Sequence, residues 1–393
     1  MIRLVLAARA LRGFADGFVA VLLPAYLLAL GHGELEVGLL STVTLAGSAF
    51  ATLAVGRWGY RFPGRRLLLA AAVVMAATGL GFASFTQLWP LLLVAFFGPL
   101  NPGGGDVSVF LPLEHTALAG AARGDSRTTV FARYSFTGSM AGAVGALAAA
   151  VPEWLAANAG LGMLDALRAM FLAYAAVGAA VWVLYLRLPL VRAEDAPPPA
   201  PLGPSRRIVV RLAALFCVDS FAGGLLINAL LALWLFERFG LSLAAAGAFF
   251  FWTGLLSACS QLAAPALARR IGLVNTMVFT HIPASLCLIA AAFCPALEWA
   301  LGLLLVRSAL SQMDVPARSA YVMSVVTPAE RPAAASFTAV PRSLASAAGP
   351  VISGVLFAGG AVAAPLVACG VLKIAYDLAL YAGFRRVAPR FAD

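Results

Sequence analysis

Charge is what this sequence lacks most. Only 11% of its 393 residues are Asp, Glu, Lys or Arg, against about 25% in soluble domains. The hydrophobic share is 62%, and the mean hydropathy is +0.94. A soluble domain is excluded, and the chain reads as an integral membrane protein. Lysine is nearly absent, Lys373 being the single one. Five cysteines (Cys217, Cys259, Cys287, Cys294, Cys369) lie in apolar segments without CxxC spacing. They read as small core residues rather than a disulfide or metal framework. His32, His115 and His281 show no ligand spacing, so no metal is expected. HExxH, GxSxG and Walker motifs are missing, so neither an enzyme nor a bound cofactor is expected. The first apolar run carries Arg9, Arg12 and Asp16 and no small-residue cleavage site. It is expected to be a retained helix rather than a signal peptide.

What is abundant is apolar sequence in long runs. Twelve segments fall near 3–30, 37–56, 67–86, 89–113, 130–151, 167–188, 208–236, 243–266, 274–294, 297–326, 335–360 and 362–384. A helix of about 20 such residues crosses a bilayer. The runs are continuous and far longer than the roughly 10 residues of a barrel strand. The expected fold is therefore all-α, with twelve transmembrane helices.

The net charge of +10 does not point to nucleic acid, because the arginines fall between the runs, where they orient helices. Alternate connections collect Arg57, Arg61, Arg65 and Arg66; Arg123 and Arg127; Arg187, Arg192, Arg206 and Arg207; Arg269 and Arg270; and Arg331. Arg3, Arg385, Arg386 and Arg390 join that side. The opposite connections hold only Arg168 and Arg238, beside Glu34, Glu36, Glu153, Asp165, Glu237 and Glu298. Both termini are expected to be cytoplasmic, in a multi-pass protein of the cell inner (plasma) membrane. The Pro-rich stretch LVRAEDAPPPAPLGPSRR cannot continue a helix. It divides the chain into bundles at 1–189 and 208–393, joined by a cytoplasmic linker at 190–207.

The halves repeat in register. Asp106 is followed 208 residues later by Asp314, Arg123 by Arg331 and Gly64 by Gly272. Arg61 and Arg133 are followed 209 residues later by Arg270 and Arg342. Asp16 has a looser counterpart in Asp219. Two six-helix repeats related about the membrane normal describe one large class of transporter.

With that layout and the connection GRWGYRFPGRR (Gly56–Arg66), the chain resembles the major facilitator superfamily of secondary transporters. Gly56, Arg61, Gly64, Arg65 and Arg66 fit that family's loop motif, whereas Tyr60 stands at its Asp position and Pro63 adds a residue. In the second copy Arg270 and Gly272 fit, and Arg269 replaces the Asp. NPGGGDVSVFLPLEHTAL and SQMDVPARSAYVMSVV also resemble a poorly characterised branch of the family. The resemblance implies a gating role for Arg61, Gly64, Arg65, Arg66, Arg270 and Gly272. It also implies that helices one, four, seven and ten line a central cavity.

Those four runs hold one aspartate each: Asp16, Asp106, Asp219 and Asp314. A charge at membrane depth costs at least about 2.5–3.5 kcal/mol on insertion scales, so each needs a partner or water. On an uninterrupted helix Arg307, Asp314 and Arg318 share a face, as do Arg9, Arg12 and Asp16. Asp106 adjoins Asn101–Gly105, which should break the fourth helix. The candidate substrate or proton-coupling residues are thus Asp16, Asp106, Asp219, Asp314, Arg12, Arg307 and Arg318. Arg12–Asp16, Asp314–Arg318 and Lys373–Asp377 can instead be static pairs pinning helices. Arg133 and Arg342 read as gate or headgroup contacts, Glu114 and His115 as wetted, and Gly138, Gly142 and Gly145 as helix packing.

The expected function is secondary active transport of a small polar or charged organic solute by alternating access, the halves rocking about a midplane site. Coupling to protons follows from the carboxylates, and efflux by antiport from the resemblance. An inward symporter for a nutrient or organic anion is the alternative, with Arg12, Arg307 and Arg318 binding the anion. A non-transporting receptor or chaperone is the alternative of another class. The expected partners are a small molecule and the lipid bilayer, with the protein a monomer.

Overall fold

The computed structural model describes residues 1–103, 108–121, 126–189, 203–327 and 330–385. They form α-helices joined by short turns, with no strand among the described residues. The first half holds α1 (Ile2–Ala29), α2 (Glu34–Trp58), α3 (Gly64–Ser84), α4 (Leu88–Phe97), α5 (Phe110–Ala121), α6 (Ser126–Leu147), α7 (Val151–Asn158) and α8 (Met163–Leu186). The second holds α9 (Arg206–Leu225), α10 (Asn228–Phe239), α11 (Leu243–Ile271), α12 (Leu273–Phe293), α13 (Leu297–Ser311), α14 (Asp314–Val325), α15 (Arg331–Ala358) and α16 (Ala364–Phe384).

Ten helical stretches among the described residues are long and apolar enough to cross a membrane. The remaining two expected spans, the fourth and the tenth, are split. In the fourth, α4 ends at Gly98, and Pro99 and Pro102 lie in the non-helical stretch beyond it. In the tenth, Pro316 has no N–H for the carbonyl of Gln312 and its ring crowds that carbonyl. The helix therefore stops at Ser311 and restarts at Asp314. This corrects the expectation that Arg307, Asp314 and Arg318 share a face, because the break resets the phase between Arg307 and the other two. Asp314 falls in the first turn of α14, where a carboxylate complements the helix dipole.

Contacts group the chain into two compact units. Unit 1 comprises Met1–Asp195 and Ile227–Trp252, and unit 2 comprises Ala196–Leu226 and Thr253–Asp393. Ile227–Trp252, which the linker-based division assigns to the second bundle, packs within unit 1. There the Ala229 N–H donates to the Pro102 carbonyl at 3.0 Å. The Glu153 carboxylate accepts the Leu243 and Ala244 N–H groups at 2.7 and 3.1 Å, capping the start of α11.

The repeat seen in sequence recurs in the packing. In unit 1 the closest helix pairs are α1 with α6 and α3 with α8; in unit 2 they are α9 with α15 and α12 with α16. The first pair of each unit is a seam of small residues. A Cβ on Gly145 would lie 2.0 Å from the Phe14 carbonyl oxygen, and one on Gly224 would lie 2.2 Å from that of Ser346. Gly138 and Gly142 line the same α1–α6 seam.

Outside the spans, Glu330 ties the entry of α9 to the turn before α15. Its Oε1 accepts the N–H groups of Gly203 (2.5 Å) and Ser205 (3.4 Å). Its Oε2 accepts the hydroxyls of Ser205 (2.6 Å) and Thr327 (2.7 Å). The Ser205 and Thr327 hydroxyls, then the Gly203 amide, pull its pKa from 4.5 to about 2. A carboxyl group depressed on folding stabilises fully above its unfolded pKa, and that contribution is lost as pH falls through the folded value. Protection of the Gly203 and Ser205 amides from hydrogen exchange, corrected for intrinsic rates, is therefore expected to fall between about pH 4.5 and 2. In Glu330→Gln it should be weak at every pH.

Candidate functional site

Two clusters of buried charge stand out, one in each unit. In unit 1 Arg12 of α1 forms an ion pair with Glu114 of α5. Glu114 is fully covered, and its Oε2 and Oε1 accept the hydroxyls of Tyr134 and Tyr185, each at 2.6 Å. The Arg12 guanidinium lies over the Phe110 ring at 4.1 Å, and that of Arg9 over Tyr134 at 5.3 Å. Asp16 is half-buried on α1, one turn beyond Arg12. Glu114 thus corrects the expectation of a wetted side chain: it is buried and bonded to Arg12, Tyr134 and Tyr185. His115 beside it sits between the rings of Phe131 and Tyr134. Asp106 lies outside the described residues.

In unit 2 the centre is Asp219 on α9. Its Oδ1 accepts from Lys373 Nζ of α16 at 2.7 Å, and its Oδ2 from Arg318 Nη1 of α14 at 2.9 Å. Arg318 also pairs with Asp314, one turn back on α14, at 3.2 Å. Asp219, Asp314 and Arg318 are all buried. Beside them His281 of α12 contacts Asp377 of α16 through Nδ1 at 3.1 Å and Lys373 Nζ through Nε2 at 3.3 Å. The half-buried Arg342 lies near the same group, its Nε donating to Ser220 Oγ at 3.0 Å. It reaches inward to α9, while Arg133 is exposed.

Three of the candidate residues, Asp219, Asp314 and Arg318, are therefore brought together in one network, and Arg12 anchors the other. Arg307 is half-buried on α13 and forms no ion pair among the described residues. Lys373 does not take Asp377 as its partner. It reaches across to Asp219, and Asp377 turns to His281. Same-helix spacing singles out Lys373 and Asp377 but pairs them with each other, and it misses His281 and the bonding of Glu114, because the partners sit on other helices. The signal available was their depth: an ionisable residue inside an apolar run needs a partner wherever it lies.

The loop residues sit at helix ends. Arg61 is exposed, and Gly64 opens α3. Arg65 Nη2 donates to the Leu186 carbonyl at 2.5 Å, taking up an end group of α8. Arg66 and Arg270 are exposed, and Gly272 adopts φ +89° at the entry to α12.

Apolar helices in a two-unit repeat, with paired charges held inside the spans, define a polytopic membrane carrier. The model of the major facilitator superfamily matches residues 5–313, and the chain belongs to that family. It is a transporter of small solutes and not an enzyme. An uncharacterized membrane protein of Saccharomyces cerevisiae, YJR124C, is 24% identical over 416 residues, covering 96% of this chain and 93% of its own. Among solved structures, the nucleoside transporter NupG superposes with a TM-score of 0.75 at 15% identity, covering 98% of this chain and 99% of its own. The inward-open xylose transporter XylE from E. coli gives 0.76 at 14% identity, covering 97% and 96%. At these identities the two solved transporters speak for the fold alone.

Proposed function

We propose that the chain moves a small polar or charged organic solute by alternating access, coupled to protons, with efflux by antiport as its direction. The observation that carries this reading is the network of the buried Asp219, Asp314 and Arg318 with Lys373, among α9, α14 and α16 of unit 2. Carboxylates and cations held there at close range can exchange one another for a charged solute or a proton, which apolar packing cannot do. The solutes named for the two solved transporters, a nucleoside and xylose, are polar. The arginine distribution further supports cytoplasmic termini in the plasma membrane.

One observation favours a second reading, inward symport of an organic anion. Arg307 has no carboxylate on it among the described residues, and a guanidinium binds carboxylate or phosphate through a planar fork.

The test is flux in proteoliposomes under an imposed pH gradient, with a pH-sensitive dye inside and small organic ions screened as solutes. Solute-dependent proton movement that disappears in Asp314→Asn and Asp106→Asn is the expected result. Solute movement without proton flux, unchanged in those variants, would leave a carrier but remove the coupling role of these aspartates. Arg307→Lys separates the readings: loss of flux restricted to anionic solutes selects the symporter.

A further inference from the structure

The His281–Asp377 pair lies outside every residue that the reading above uses, yet it is joined to it through Lys373. An ammonium group has no acceptor, so in the 3.3 Å contact Lys373 Nζ must donate and His281 Nε2 must accept. The ring proton is then on Nδ1 and donates to Asp377 Oδ1 at 3.1 Å. His281 is thereby neutral, wedged between a carboxylate and an ammonium. Asp377 is 0% exposed, and among the described residues no hydrogen bond reaches its Oδ2. A carboxylate with one oxygen buried and unbonded is costly, and a proton on that oxygen removes the charge.

We propose that His281 and Asp377 form a proton-binding pair whose occupancy decides whether Lys373 stays on Asp219. It rests on the carrier reading for its purpose, but its chemistry stands on the contacts alone. The pair offers a proton from water two places, Asp377 Oδ2 and His281 Nε2. With a proton on Nε2 both ring nitrogens donate, and the Lys373 ammonium 3.3 Å away meets a donor of its own sign. Asp219 Oδ1 is already 3.9 Å from Nε2, on the side where Lys373 now holds it at 2.7 Å. An imidazolium can therefore take Asp219 as Lys373 withdraws, and release of the proton returns Lys373 to its place. Asp219 also holds Arg318, so the exchange reaches the candidate site directly.

The charged and titratable groups around the pair are few. α9 contributes Asp219, α16 itself contributes Lys373, Tyr376 and the buried Cys369, and α13 contributes Arg307 beyond Cys369. α14 contributes Arg318 and Asp314 beyond Asp219, and α15 contributes Arg342. Two interacting groups lose their protons in macroscopic steps that belong to the pair, so a step seen at His281 is expected to be seen at Lys373 as well.

Lys373 is the single lysine, which makes the test direct. Protein carrying isotope-labelled lysine and histidine is titrated by NMR between about pH 5 and 8, where imidazoles change charge. The expected result is one midpoint common to the Lys373 and His281 side-chain signals in the wild-type protein. That Lys373 transition should disappear in His281→Gln and shift in Asp377→Asn. A Lys373 signal without a transition in the wild type overturns the proposal, and the wild type alone decides this if a variant fails to fold. A transition that persists unchanged in His281→Gln overturns it too. Flux on the same preparation keeps the two readings apart. Coupled flux with a silent Lys373 sinks the pair and leaves the carrier, whereas a shared transition without flux keeps the pair and sinks the coupled carrier.

Discussion

Asp219→Ala is expected to abolish transport and to destabilise the protein by about 3–5 kcal/mol, the cost of stripping one member from a buried ion pair. The carboxylate serves two cations at once, Lys373 on Oδ1 and Arg318 on Oδ2. Without it, Arg318 keeps Asp314 at 3.2 Å, but Lys373 keeps only the lone pair of His281. Removing that second charge should reverse much of the loss. Asp219→Ala with Lys373→Ala is expected to melt well above Asp219→Ala alone while remaining inactive. A double-mutant cycle on melting temperature in detergent measures this coupling, since residues in one network do not add. If Asp219→Ala melts with the wild type, the charges are reached by water and the cluster is no structural pin.

The sequence showed the helices and the repeat plainly, because a bilayer demands long apolar runs and the offset of about 208 residues survives on charged positions. It also pointed to a break in the fourth span at NPGGG; the helix ends slightly earlier, at Phe97, ahead of Pro99. The tenth span differs from the expectation of an uninterrupted helix, because the missing N–H of Pro316 ends the helix at Ser311. The site was half legible. Asp219, Asp314 and Arg318 stood out as charges in the right spans, and they meet. Who pairs with whom did not stand out, because i,i+4 spacing finds neighbours on one helix and says nothing across helices. Lys373 and Asp377 are four apart and each finds its close partner elsewhere. Glu114 looked like the wet end of a helix, and only folding brings Arg12, Tyr134 and Tyr185 around it.

Gly145→Val is expected to give no folded protein, the larger of two glycine effects that the seams allow to be compared. Even a Cβ there would lie 2.0 Å from the carbonyl oxygen of Phe14, with the carbonyl carbon and Cα of the same residue at 2.7 and 2.8 Å. All three are backbone atoms and cannot swing aside, so α1 and α6 would have to part along the main seam of unit 1. Ordinary overpacking costs about 1–3 kcal/mol when side chains can yield; here none of the nearest atoms can. Parting that seam would also disturb Arg12, whose partner Glu114 and neighbour Tyr134 are carried by α5 and α6. Gly224→Val should fail in the same way in unit 2, its Cβ meeting the Ser346 carbonyl oxygen at 2.2 Å. The control is Gly302→Ala on α13, where nothing lies within 4 Å of an added Cβ. Helix propensity alone favours alanine there by about 1 kcal/mol, so this variant should melt at or above the wild type. The yield of monodisperse protein and its melting temperature check all three. A well-folded Gly145→Val would mean that the α1–α6 contact is not what holds unit 1 together, and the seam would lose its place as the frame of the Arg12–Glu114 cluster.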